Sequence, residues 1–215
     1  MLEGFSFSKI QTTMNPQLHE TIQQFAASNI SDERKAQLQP LIDFIQQKKN
    51  SAQAVRLNFI CTHNSRRSHL SQIWAQAMAF HFGIKAVFCY SGGTEATAMF
   101  GKVHQTLAAQ GFEVIQLSES ANPVFAIKYA PNENAVICFS KVYHHDFNPR
   151  SDYAAIMTCD HADEGCPVVL GAAARFPVRY HDPKQYDNTP LMDAKYAERS
   201  LEIGQEMWFV FSQIR

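Results

Sequence analysis

A chain of 215 residues is long enough for one good-sized α/β domain with an appendage, and 46% hydrophobic with 18% charged residues is ordinary globular composition. A formal net charge of −1 leaves no electrostatic footprint for nucleic acid, and no apolar run reaches the length of a membrane span. The five cysteines are odd in number and do not make a disulfide framework. The opening Met1-Leu2-Glu3-Gly4 lacks the basic start and apolar stretch of a secretory signal, so the thiols read as reduced and the protein as cytoplasmic.

Residues 1–50 are rich in Gln, Ala, Asn and Lys and divide into two helical stretches. Asn15-Pro16 opens the first, with Leu18, Ile22 and Phe25 along one side. Ser31-Asp32-Glu33 caps the second, where Leu38, Leu41, Ile42 and Ile45 form a stripe. This pair is expected to be a helical extension that docks on a main domain over residues 51–215, or on a second subunit. It carries no chemistry.

The main domain opens with the stretch on which its chemistry turns. Residues 56–60 are β-branched and aromatic enough for a short buried strand, and from Ser68 onward Leu70, Ile73, Trp74 and Met78 share one helical face. Between them Cys61-Thr62-His63-Asn64-Ser65-Arg66-Arg67-Ser68 makes a tight polar turn. A strand-to-helix turn of this kind gathers backbone N–H groups into one concave space, and the helix dipole adds positive character there. An anion the size of phosphate fits it. Cys61 at its base is then a nucleophile aimed at that anion, Arg67 a two-pronged donor to its oxygens, and Ser65 and Ser68 short hydroxyl donors.

Further strand patterns follow at residues 85–90 and 113–117, around a helix over residues 98–110 that ends at Gly111. This alternation predicts a parallel sheet with its ligand at the carboxyl ends of the strands, where Cys61 lies. Residues 122–150 break the rhythm: two strand-like stretches, 124–129 and 135–143, flank the turn Pro131-Asn132-Glu133-Asn134 and read as an inserted β-hairpin. Adjacent His144 and His145 point apart and read as loop, and Cys89 and Cys138 as buried inert thiols. After a strand at residues 153–157 comes TCDHADEGCP, in which Cys159 and Cys166 lack the partners of a zinc site but suit a redox pair. A last strand is expected at residues 177–180, placing Asp182 over the same rim as Cys61, where its carboxyl would protonate a departing oxygen. Asp187 reads as a capping or solvated residue. Thr189-Pro190 opens a long final helix.

The loop CTHNSRRS resembles the active-site loop of low-molecular-weight protein tyrosine phosphatases and of the thioredoxin-coupled arsenate reductases built on the same fold. Asp182-Pro183 matches that family's downstream acid, and TCDHADEGCP is similar to the arsenate reductases in particular. The resemblance covers residues 54–215 apart from the hairpin. It implies a three-layer α/β sandwich around a four-stranded parallel sheet, and no cofactor or metal. Thr62, His63, Asn64, Ser65, Arg66, Arg67 and Ser68 would then cradle the anion. Cys61, Arg67, Asp182, Cys159 and Cys166 would perform catalysis. On this likeness arsenate forms an adduct on Cys61, Cys159 displaces arsenite, and Cys166 moves the disulfide outward to a thioredoxin-like reductant. The alternative is hydrolysis of phosphotyrosine or a small phosphate monoester through a cysteinyl-phosphate; a module that only binds the oxyanion is a third reading. Three positions depart from the family: Arg66 stands where another cysteine is common, His63 where glycine is usual, and Lys184-Gln185 where phosphotyrosine-specific members carry tyrosines.

Overall fold

The computed structural model describes residues 13–165 and 168–215. Two helices come first: α1, Pro16–Gln23, and α2, Asp32–Asn50, joined by a 3-10 turn that carries Phe25. Ser31 caps α2 by accepting from Arg34 N at 3.2 Å. Asn15, just ahead of α1, makes no such cap. Its side-chain amide donates instead to Gly111 O and Lys128 O, at 3.3 and 3.2 Å, and so ties the entry of the chain to distant segments.

Strand β1, Val55–Cys61, then runs into helix α3, Arg67–His81, and strand β2, Val87–Gly93, into helix α4, Gly101–Ala109. Three short strands follow, β3 (Glu113–Gln116), β4 (Phe125–Lys128) and β5 (Val136–Cys138). The chain closes with β6 (Tyr153–Met157), α5 (Asp160–Gly165), β7 (Ala172–Pro177) and α6 (Met192–Ser212). The parallel sheet has the order β2-β1-β6-β7. This is the four-stranded α/β architecture expected, and it sets β1 and β6 side by side, with Ile60 opposite Met157.

Strand β2 runs on to Gly93 and β5 keeps only Val136–Cys138 of the stretch expected to be extended, and two further strands depart more from the sequence reading. β3 does not enter the parallel sheet; it pairs antiparallel with β4, extending the hairpin β4–β5 into a separate three-stranded sheet. A parallel strand needs both faces covered, and in β3 only Val114 is even partly buried, with Glu113 and Gln116 in solvent. The last strand lies earlier than residues 177–180, because an alanine-rich stretch of low β-propensity adopts the extended form under tertiary pairing. Residues 178 and 180 still bond across to Met157 O and Thr158 O at 3.0 and 3.1 Å, carrying the chain to the rim.

One face of the sheet is covered by a single large core. Leu57, Phe59, Ala154 and Ile156 meet α3, whose Trp74 is edge-on to Phe25 and Phe112 at centroid distances of 5.4 and 4.9 Å. Helix α6 approaches so closely at Gly204 that an added Cβ would lie 2.9 Å from the Phe25 ring and 3.0 Å from the Trp74 ring. Arg34 of α2 grips Glu206 of α6 with two hydrogen bonds, of 2.6 and 2.8 Å. A smaller cluster including Ile60, Cys61, Met157, Cys159 and Ala162 lies under α5. Among the described residues no helix is long and apolar enough to cross a membrane.

The two N-terminal helices therefore share the core of the sheet. Phe25→Ala should lower the unfolding free energy by about 3–5 kcal/mol, the usual cost of truncating a buried phenylalanine. Urea denaturation reads this directly, and a loss below about 1 kcal/mol would show that these helices rest on the sheet without being part of its core.

Candidate active site

The turn from β1 into α3 has a defined polarity. Four of its carbonyls take donors from outside the turn: Cys61 O accepts from Thr94 N at 3.1 Å, Thr62 O from Glu95 N at 2.8 Å, and Ser65 O from Phe100 N at 3.0 Å. His63 O accepts from the hydroxyls of Ser140 and Thr97, at 2.9 and 3.2 Å. Among the described residues, the N–H groups of residues 63–66 donate to nothing in the chain. Buried backbone donors demand partners, and N–H groups at the start of a helix can take them from an anion.

Asn64 makes the turn with φ +45°, a conformation asparagine tolerates better than most residues. Gly93 leaves room for it, since a Cβ there would lie 2.7 Å from Asn64 N and 2.6 Å from Thr62 O. The Asn64 side chain is fully buried and oriented from behind. Its Oδ1 accepts from Lys141 N at 2.9 Å, which fixes the amide so that Nδ2 donates to Ser68 Oγ at 2.8 Å. Ser68 Oγ lies 3.1 Å from Cys61 Sγ. With its oxygen already accepting from Asn64, the Ser68 hydroxyl is left to donate to the sulfur. The chain Lys141–Asn64–Ser68–Cys61 thus aims one hydrogen bond at the candidate nucleophile. The Asn64 and Ser68 side chains serve the sulfur.

Arg67 lies at the mouth. It donates to Tyr180 O at 3.0 Å and to Asp182 Oδ2 at 2.7 Å, while its Nε is buried and has no partner among the described residues. A buried guanidinium donor of this kind calls for an acceptor. Asp182 also accepts from Lys184 N at 3.0 Å, so one carboxylate caps the short 3-10 turn Pro183–Tyr186 and meets Arg67.

Arg66 behaves differently. Its guanidinium turns away from the anion space to Asp187 Oδ2 and Tyr196 Oη, both at 2.5 Å, and lies 4.2 Å over the Phe100 ring. Cys159, just past β6, is buried, and its Sγ lies 3.5 Å from Thr62 Oγ1. Thr62, His63, Arg67, Cys159 and Asp182 line one cavity of about 540 Å³. His63 is half exposed there, 3.6 Å from Glu95 Oε2. The Ser65 side chain is buried. Cys166 lies outside the described residues.

Sequence reasoning missed three supports of the loop. Gly93 was legible in principle, as a paired glycine at the carboxyl end of a strand. Asp187 is no solvated residue: its carboxylate pairs with Arg66 and accepts from Tyr196. Lys141 had no signal at all. It is 2% exposed, with Nζ donating to Phe139 O at 3.2 Å and lying over the Phe139 and Phe147 rings. Cys89 and Cys138 are buried thiols whose pKa values burial pushes up.

No protein-family model matches the chain, and no curated protein does. Among solved structures it is similar to a low-molecular-weight phosphotyrosine phosphatase from Vibrio cholerae, with 14% identity, a TM-score of 0.48, and 74% of this chain and 95% of that one covered. A low-molecular-weight protein tyrosine phosphatase from T. tengcongensis gives 13% identity and a TM-score of 0.49, over 74% of this chain and 97% of that one. An arsenate reductase from Archaeoglobus fulgidus gives 18% identity and a TM-score of 0.45, over 73% and 98%.

Burial holds the Lys141 ammonium down to about 8 from an ordinary 10.5. Below about 8 it is charged in both folded and unfolded chains, and the folded chain bears the full cost of burying it. Between 8 and 10.5 the unfolded chain alone keeps the proton, so that cost is relieved as pH rises. Lys141→Met should therefore exceed the parent in stability by about 2–3 kcal/mol at neutral pH, with the gap narrowing towards pH 10.5. Urea denaturation of both proteins at several pH values measures it; a gap that is absent, or constant with pH, contradicts the buried charge.

Proposed function

We propose that the chain reduces a tetrahedral oxyanion, arsenate, through a covalent adduct on Cys61 and a disulfide relay that begins with Cys159. The observation that carries this reading is the place of Cys159. It follows the strand paired with β1, stands two residues beyond the partner of Ile60, and is buried 3.5 Å from the hydroxyl of Thr62, the residue after Cys61. A second thiol at the wall of an oxyanion site has no use in hydrolysis and a direct one in reduction.

The steps balance as follows. Arsenate enters the ring of N–H groups and takes hydrogen bonds from Arg67. The Cys61 sulfur attacks arsenic, and one oxygen leaves as water with a proton supplied by Asp182. The Cys159 sulfur then attacks the Cys61 sulfur. The sulfur–arsenic bond breaks with its electron pair passing to arsenic, which departs as arsenite, and two thiols become one disulfide. Cys166 is the thiol that would next attack Cys159, exporting the disulfide to an external dithiol of the thioredoxin kind.

A second reading has one observation in its favour. A cavity of about 540 Å³ exceeds what a single oxyanion fills and leaves room for an ester group. In that case water resolves a cysteinyl-phosphate, and Asp182 protonates the leaving alcohol.

One experiment separates the two. The reduced protein is given arsenate for a single turnover, free thiols are blocked, and disulfides are mapped by peptide mass. Reduction predicts a Cys159–Cys166 disulfide in the parent, a trapped Cys61–Cys159 disulfide in Cys166→Ser, and neither in Cys61→Ser. If Cys159 and Cys166 stay free while Cys61 remains reactive, reduction is ruled out, and aryl-phosphate hydrolysis that survives Cys159→Ser supports the esterase. In either chemistry Asp182→Asn should slow the first step by about 10²–10⁴-fold.

A further inference from the structure

Arg66 and Arg67 are neighbours in sequence, at the cap and first residue of α3, and their side chains diverge. Each takes one end of the same short segment. Arg67 holds Asp182 at 2.7 Å, ahead of the 3-10 turn, and Arg66 holds Asp187 at 2.5 Å, just after it. The two grips are unequal. The Asp182 carboxylate is about one-third exposed and Arg67 has other work, whereas Asp187 and Arg66 are 16% and 12% exposed and closed into a ring. In that ring Tyr196 of α6 accepts from Arg66 Nε at 2.5 Å and donates to Asp187 Oδ1 at 2.6 Å, while the Phe100 ring backs the guanidinium at 4.2 Å.

An anion in the loop competes for the Arg67 guanidinium and loosens its grip on Asp182 at the moment that carboxyl is needed as an acid. Something else must then keep the segment at the rim. We infer that Arg66, Asp187 and Tyr196 form a clamp that holds residues 182–187 against the loop once substrate draws Arg67 away, which makes the three of them positioning residues for the proton donor. This rests on the reading of Asp182 as the acid of a Cys61 reaction. Neutralising a buried Arg66 needs only one carboxylate anywhere nearby. A carboxylate five residues from the acid, locked by a third group from another helix, does more than that.

A double-mutant cycle tests it, read as the single-turnover rate on whichever of arsenate or phenyl phosphate the parent turns over. Tyr196→Phe should slow the step about 10-fold and Asp187→Asn by about 10–100-fold, both less than Asp182→Asn. In the Asp182→Asn background neither should cost more than about 2-fold, because a clamp has nothing to position once the acid is gone. A residue that merely keeps the loop folded would cost the same factor in both backgrounds, and that result overturns the clamp; so does an unchanged rate in both single variants. Should Asp187→Asn fail to fold, Tyr196→Phe, which removes one hydroxyl and keeps the ring, decides alone. Activity that survives Cys61→Ser, a parent inert on both substrates, or an Asp182→Asn as fast as the parent overturns the underlying reading and the clamp with it. When Cys61 and Asp182 both matter, only the clamp is at stake.

Discussion

The backbone between β1 and α3 turns its carbonyls outward and its N–H groups inward, and most of the surrounding structure exists to keep it so. Such a turn is unfavourable on its own, because it sets several donors of like polarity against one another and asks Asn64 for a positive φ. It persists because four of its carbonyls have fixed donors and because the absence of a side chain at Gly93 lets a neighbouring strand end pass beneath. The small three-stranded sheet takes its place in this account. Beyond β5 the chain delivers Ser140 and Lys141, whose hydroxyl and backbone N–H hold His63 and Asn64 from behind. The segment that breaks the strand–helix rhythm of the sequence is thus a buttress under the loop.

The same constraint gives the larger core its purpose. The loop can be held only as firmly as the strand and helix it joins, and α3 is pinned along its length by β1, by Trp74 against Phe25 and Phe112, and by α6. Helix α6 in turn supplies Tyr196 to Asp187, close to the loop, and, further along the helix, Glu206 to Arg34. Packing at one end of a rigid helix thereby supports polar geometry at the other. The N-terminal helices contribute through Phe25 and through Arg34, which lies 5.1 Å over the ring of Tyr180 at the cavity wall.

Legibility in the sequence followed how local each cause was. β1, the loop and α3 were readable because hydrophobic pattern and turn chemistry act within a few residues, and β6 falls on residues 153–157 as its apolar run suggested. The stripe of Leu38, Leu41, Ile42 and Ile45 is buried as its helical spacing required. β3 misled because its alternation fits any half-covered strand, and only the position of β4 decides which sheet takes it. β7 was misplaced because alanine has little β-preference and only pairing with β6 extends it. Arg66 and Asp187 are 121 residues apart, so no local pattern could show that the first arginine of the loop pairs with Asp187.

On the proposed function this loop is an anion cradle with Cys61 at its base and Arg67 at its mouth. The most direct measurement is the rate at which iodoacetate alkylates Cys61, followed by peptide mass, as phosphate or arsenate is added. Saturable protection of Cys61 by either anion is expected in the parent, and none in Arg67→Ala. An alkylation rate that does not respond to either anion in the parent protein would mean that the inward N–H groups hold no oxyanion, and the function built on them would have to be abandoned.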